Sequence, residues 1–213
     1  MTIRVAIVDD HPMVTSGLAV ALATIDDIVV AARGSSIADA RAILVRDDID
    51  VVLLDVRLED GNGIQALAER GSRLRPVVLV ISSFKTSQYV AASARFRAAG
   101  FLLKTVPLSD LVEAIRTVYA GGCIFTYDQL AKRFITLAPR EREVVRLAMD
   151  GLSNKEIGAR TGMSPKTVES RLTDIYERFG ITGGRVELSL RAADEGWLDI
   201  EQPAPAREGA NPG

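Results

Sequence analysis

The chain has 213 residues, of which 47% are hydrophobic and 25% charged, with a formal net charge of −2. That is the composition of an ordinary soluble protein of one large or two small domains, and it leaves any nucleic-acid binding to a local surface. A single cysteine, Cys123, excludes an internal disulfide and a thiolate metal cluster, and reads as a buried or idle thiol. The one histidine, His11, gives little support to a His-based metal site or a Ser/His/Asp triad.

In chain order, residues 3–8 read as a first strand that ends in the paired carboxylates Asp9 and Asp10. Pro12 then opens a helix whose apolar positions Val14, Leu18, Ala21 and Leu22 recur at helical spacing. Residues 28–32 are a second strand, and 37–45 a helix with Ala40, Ile43 and Leu44 on one face. The run Val51-Val52-Leu53-Leu54, bounded by Asp50 and Asp55, is a third strand, apolar enough to be buried on both faces of a parallel sheet. A turn-rich segment, 56–63, and a helix, 64–70, follow it. Residues 77–81 form a fourth strand running into Ser82-Ser83. An alanine-rich helix over 87–98, a short strand over 100–103 and a helix over 108–119 complete the pattern. Strands alternating with helices over residues 1–120 argue for one doubly wound parallel sheet, flavodoxin-like in strand order 2-1-3-4-5.

The polar residues that matter stand where apolar strands end: Asp9 and Asp10 after the first, Asp55 after the third, Ser82 after the fourth and Lys104 after the fifth. In that strand order they meet in one crevice at the carboxyl ends of the strands. Clustered carboxylates repel and demand a cation, and oxygen-only ligands favour a hard one such as Mg²⁺. A hydroxyl and an ammonium beside them suit a phosphoryl group arriving at Asp55.

At these spacings the set Asp9-Asp10, Asp55, Ser82 and Lys104 resembles the receiver domain of two-component response regulators, with 9–12 and 55–63 closest to the NarL/FixJ branch. The resemblance implies that Asp55 accepts a phosphoryl group from a sensor histidine kinase. It implies that Asp9, Asp10, Asp55 and the backbone carbonyl of Arg57 hold Mg²⁺, and that Ser82 and Lys104 contact the phosphoryl oxygens. Two residues depart from the pattern. Phe101 stands at the switch position where a tyrosine is common, and Glu59 stands where many relatives have proline. His11 reads as a loop residue rather than a phosphorelay histidine.

Ala120-Gly121-Gly122 breaks the last helix, and 121–137 reads as a linker with one amphipathic turn over 130–134. Pro139, with Glu141 and Glu143 in its first turn, starts a helix carrying Val144, Val145, Leu147 and Ala148, and Gly151 stops it. Ser153 and Glu156 form a capping box for a helix through Arg160, Gly162 makes a turn, and Ser164-Pro165 opens another helix. There Val168, Leu172, Ile175 and Phe179 make a buried stripe, opposite Lys166, Glu169, Ser170, Thr173 and Glu177. Two short helices joined by a glycine turn describe a helix-turn-helix.

Residues 137–144, 151–157 and 164–169 together resemble the LuxR-type DNA-binding domain, over 138–200. Glu169, Ser170 and Thr173 are then expected to face base edges, and Lys155, Lys166, Thr167 and Arg171 to face phosphates of double-stranded DNA. A helix over 185–195 would be the family's dimerisation helix, with Trp197 and Leu198 packed at its end. The Pro/Ala/Gly-rich tail, 201–213, reads as disordered.

The reading is a phosphorylation-switched transcription factor, a homodimer when active, that accepts and hydrolyses only its own aspartyl phosphate. Two alternatives stand beside it: a receiver that works without phosphorylation as a protein-interaction module, and an aspartyl-phosphate phosphatase. The phosphatase would want a second Asp two residues after Asp55, where this chain has Arg57. The apolar run Val5–Val8 is too short for a signal peptide and no stretch approaches membrane-spanning length, so a cytoplasmic location without a membrane partner is expected.

Overall fold

The computed structural model of the protein describes residues 1–71, 73–83, 86–125 and 135–198. The amphipathic turn expected over 130–134 and the tail from Glu201 lie outside them. The described residues fall into two compact units, one N-terminal and one beginning at Ile135.

The N-terminal unit is a five-stranded parallel sheet with helices on both faces. Its elements are β1 (Ile3–Val8), α1 (Pro12–Leu22), β2 (Ile28–Gly34), α2 (Ile37–Ile43), β3 (Val51–Asp55), β4 (Arg57–Leu58), β5 (Gly61–Asn62), α3 (Gly63–Glu69), β6 (Val77–Ser82), α4 (Ser87–Arg95), β7 (Gly100–Leu103) and α5 (Leu108–Tyr119). The sheet order is β2-β1-β3-β6-β7, the expected 2-1-3-4-5 once the separate β4–β5 hairpin is set aside. Every residue of β3 is buried, because successive side chains go to opposite faces and both faces are covered. Val5, Ile7, Leu53 and Leu79 pack under α1 and α5 with Leu22, Leu111 and Ile115. Ala6, Val8, Val52, Leu54 and Val80 pack under α2, α3 and α4 with Ile43, Leu67 and Tyr89. Burying such an aliphatic side chain is worth roughly 1.5–3 kcal/mol, so β3 anchors both layers.

Several boundaries differ from the sequence reading. β2 runs two residues further, to Gly34, still paired with β1 at Val8↔Gly34. α2 stops at Ile43 with Leu44 as its cap, leaving Val45 exposed. α4 stops at Arg95, because the chain turns at Arg97, which has a positive φ of 63°. The turn-rich segment after Asp55 closes a small hairpin, Arg57↔Asn62 and Leu58↔Gly61, and Glu59 occupies its exposed tip. Beside it, Asp60 accepts the Ile37 N–H at the start of α2.

The expected linker is shorter than read. Ile124 N–H donates to the Ala99 carbonyl at 2.9 Å, which ties that segment to the sheet unit. Leu137 belongs to the core of the second unit. Cys123 is exposed, which removes the buried reading of its thiol.

The second unit consists of α6 (Pro139–Met149), α7 (Asn154–Thr161), α8 (Pro165–Phe179) and α9 (Gly184–Asp194). The last helix begins and ends one residue earlier than the sequence reading. Ser153 caps α7 through the expected box with Glu156, and Ser164 accepts the Thr167 N–H to cap α8. Between them Gly162 takes a left-handed φ of 70°, the conformation a tight turn asks of glycine. Val168, Leu172 and Ile175 are buried as expected, while Phe179 is half-buried with its ring centroid 4.9 Å from that of Trp197. Val144, Ile157, Leu188, Ala192 and Trp197 close the core.

Candidate functional site

Parallel pairing sets where each strand stops, and so where its last polar side chain comes out. Val8 pairs with Leu54, Asp55 with Ile81, and Ser82 with Leu103. The residues that follow these pairs therefore gather at one end of the sheet: Asp9 and Asp55 are 1% and 3% exposed, and Ser82 is 1% exposed. Lys104 is fixed by its own N–H, which donates to the Ser82 carbonyl at 2.8 Å. A glycine completes the frame. A Cβ on Gly63 would run into the Asp55 carbonyl, so only glycine lets α3 begin this close to β3.

The Lys104 ammonium sits between two buried carboxylates, with Nζ 2.6 Å from Asp55 Oδ2 and 2.7 Å from Asp9 Oδ2. Burial pushes the Asp55 carboxyl above its ordinary value, and the lysine only partly offsets that. Burial works against the Lys104 ammonium as well, but its bonds to Asp55 and Asp9 outweigh this and raise its pKa. Asp9 also accepts the His11 N–H at 3.0 Å through Oδ1, and Asp55 Oδ1 faces the Arg57 N–H at a long 3.4 Å.

His11 lies in the loop after β1 as expected, at the N-cap position of α1, and its Nδ1 lies 2.6 Å from Asp10 Oδ1. Ligand atoms of Asp9, Asp10, His11 and Asp55 all lie within 4.8 Å of one another. Three carboxylates in that space fit a hard divalent cation, and among the described residues one lysine, Lys104, offsets them. A cavity of about 310 Å³, lined by Asp9, Asp10, Thr15, Arg33 and Asp39 among others, adjoins the cluster. Phe101 is buried in β7, opposite Val80, and brings no polar side-chain atom.

The pocket can thus present a desolvated carboxylate as nucleophile, with an ammonium beside it for an anion. The five side chains singled out in the sequence do come together at this end of the sheet. The sequence reading missed the imidazole contact, and it missed the Arg57 side chain, whose Nε–H donates to the Tyr89 hydroxyl at 3.2 Å. Sequence spacing carries no signal for that pair, since Tyr89 comes from another element.

In the second unit Lys155, Lys166, Thr167, Glu169, Ser170 and Thr173 are all exposed. Thr173 Oγ1 donates to the Glu169 carbonyl, which holds these two on one side of α8. Arg171 is half-buried, with its Nε shut off from solvent, and its charge contributes to lowering the pKa of Glu141. It is turned toward the unit's interior more than the other residues expected at phosphates.

Comparison with known proteins agrees with both units. Residues 5–116 match the response regulator receiver domain, and 135–192 match the bacterial regulatory proteins of the luxR family. The transcriptional regulatory protein UhpA of Salmonella typhimurium is 35% identical over 201 residues, covering 92% of this chain and all of that protein. The transcriptional regulatory protein MctR of Rhizobium johnstonii is 33% identical over 193 residues, 84% of this chain and 88% of its own. Among solved structures, the response regulator ChrA of a heme-sensing two-component system is 28% identical, with a TM-score of 0.53, covering 92% of this chain and 98% of its own. Among the described residues no helix is long and apolar enough to cross a membrane. A doubly wound sheet with an acidic pocket at its strand ends, followed by a helix-turn-helix, thus places the chain in the NarL/LuxR family of two-component response regulators, as a DNA-binding transcription regulator.

Proposed function

We propose that this regulator is switched by phosphorylation of Asp55, with a sensor histidine kinase as donor. The observation that carries the reading is the Asp55 carboxylate, 3% exposed, with the Lys104 ammonium 2.6 Å away. A nucleophile in that setting is desolvated, and the charge of an incoming phosphoryl group meets a fixed cation. An Asp55 oxygen bonds to phosphorus as the bond from phosphorus to the donor's histidine nitrogen breaks. Asp9, Asp10, Asp55 and the Arg57 carbonyl would hold Mg²⁺, which when bound neutralises charge on the phosphoryl oxygens. Lys104 and Ser82 hold those oxygens, and Lys104 carries the change to the surface beyond β7. Water later returns the group as phosphate, the only hydrolysis assigned to the protein.

In the second unit α8 enters the major groove, with Glu169, Ser170 and Thr173 toward base edges and Lys155, Lys166 and Thr167 toward phosphates. The active form is a homodimer, which protects two half-sites about one helical turn apart, and the protein works in the cytoplasm. The test is phosphate incorporation from acetyl phosphate with Mg²⁺. Wild type takes up acid-labile phosphate, and Asp55→Asn takes up none, since an amide oxygen is a poor nucleophile. Incorporation that persisted in Asp55→Asn would move the acceptor elsewhere and overturn the reading.

A further inference from the structure

We propose that Arg57 is a positioning residue that ties the Asp9/Asp55 pocket to α4 through the Tyr89 hydroxyl, so that filling the pocket orders α4. The proposal rests on the reading of that pocket as a divalent-cation and phosphoryl site. The inner face of α4 is unusually polar for a helix packed on a sheet: Gln88, Tyr89 and Ser93 are all within 1% of full burial. A phenol buried among Val80, Val90 and Phe101 needs a partner for its oxygen, because a buried hydroxyl stripped of water and left unbonded is destabilising. The Arg57 Nε–H supplies a charge-assisted bond at 3.2 Å, and its guanidinium carbon lies 5.9 Å from the Tyr89 ring centroid. Phe101, in the same apolar cluster, carries no atom that could make such a link.

Arg57 belongs at the same time to the pocket's own loop. Its N–H faces Asp55 Oδ1 at 3.4 Å, long for a hydrogen bond, and its strand β4 is two residues long. Arg57 thus meets the carboxylate through its backbone and α4 through its side chain. The carbonyl proposed as a metal ligand belongs to this residue. A cation that grips the backbone at position 57 settles the side chain too, and with it the bond from Arg57 to the Tyr89 oxygen.

The experiment is amide hydrogen exchange on the full chain, alone and with Mg²⁺ plus beryllofluoride as the phosphoryl stand-in. In wild type, exchange slows both around Asp9–His11 and along α4. In Tyr89→Phe, which removes one oxygen and keeps the ring in the core, the slowing around Asp9–His11 stays and the slowing along α4 is lost. Arg57→Met, a change at an exposed position, loses the α4 response as well and guards against a folding defect in the tyrosine variant. An α4 response of wild-type size in Tyr89→Phe overturns the proposal. So does an α4 that merely exchanges faster by the same factor with and without the ligands, the mark of a purely structural bond. If neither segment slows in wild type, the pocket reading itself fails, and the inference falls with it.

Discussion

In the sheet unit the acidic cluster is buried at strand ends, whereas in the helical unit the charges proposed to meet DNA stand in solvent on α7 and α8. Asp9 and Asp55 have side chains 0% and 4% exposed, and both lean on one lysine. Lys155, Lys166 and Glu169 form no ion pair among the described residues and are exposed. Buried like charges are costly unless a cation shares the space, so the sheet unit has a state that depends on what occupies its pocket. Exposed charges cost little and are ready at all times. On the proposed reading one unit changes and the other reads, and each has its own way of being broken.

The largest effect belongs to the helical unit's small core. Trp197 is fully buried there, packed on Phe179 and with its indole N–H donating to Glu195 at 2.7 Å. Trp197→Ala should cost about 3–5 kcal/mol in that unit, as large-to-small core changes do. Denaturant titration with exchange readout for each unit should find α6–α9 destabilised and the sheet unit at its wild-type midpoint. Equal losses in both would refute the division into independently packed cores.

The sheet unit is broken through its charges instead. Lys104→Met strands Asp9 and Asp55 without their cation and should cost about 2–3 kcal/mol in metal-free buffer. That is less than the 3–5 kcal/mol typical of a broken buried pair, because Asp55, already raised by burial, takes up a proton. Mg²⁺ should restore more stability to this variant than it adds to wild type, where the lysine competes for the same carboxylates. A thermal midpoint that ignores Mg²⁺ in the variant would remove the carboxylates from the cation site.

The contrast also explains what could be read from the sequence. A strand buried on both faces announces itself as an unbroken apolar run, and the first polar residue after it marks the strand's end; Asp55 and Ser82 were placed there that way. The outward face of α8 followed from the Val168/Leu172/Ile175 spacing. Hidden were features that depend on the third dimension or on an unusual local choice. α4 stops at Arg95, two residues before Arg97 takes a left-handed turn that usually goes to glycine, so the alanine-rich run gave no sign of it. The apolar periodicity of α2 carried past its end because Leu44 and Val45 are themselves apolar. The Arg57–Tyr89 bond joins residues 32 positions apart.

A smaller effect, confined to DNA, separates positioning from reading on α8. Glu169→Ala should cost about 1–3 kcal/mol at one base pair and relax the preference there, while Lys166→Ala weakens all sequences alike and lowers the salt slope by about one ion. Binding-site selection at two salt concentrations distinguishes them. An unchanged preferred sequence in Glu169→Ala would take that residue out of the base-reading set.

The smallest effect concerns pH in the helical unit, where three helices carry a glutamate in the first turn. Burial works to raise the Glu141 carboxyl, but Arg178 at 2.9 Å and the Ala138 N–H at 2.7 Å outweigh it and hold it below its ordinary 4.5. Glu156 is lowered by the Ser153 hydroxyl and N–H, and Glu187 by the Gly183 and Thr182 N–H groups. A carboxyl whose folded value is depressed binds fewer protons in the fold than in the open chain. Its stabilisation is therefore complete above the unfolded value and is lost as pH falls through the folded one. The helical unit should keep its stability from neutrality down to about pH 5 and lose it progressively below 4.5. Trp197, the single tryptophan and buried in this unit, reports the transition by fluorescence without interference from the sheet. Glu141→Gln keeps the shape of the side chain and removes its charge. The variant should start less stable at neutral pH and lose less on acidification, because the bond from Glu141 to Arg178 joins the start of α6 to the end of α8. A wild-type acid slope in Glu141→Gln would assign the pH dependence to the two other capping glutamates alone.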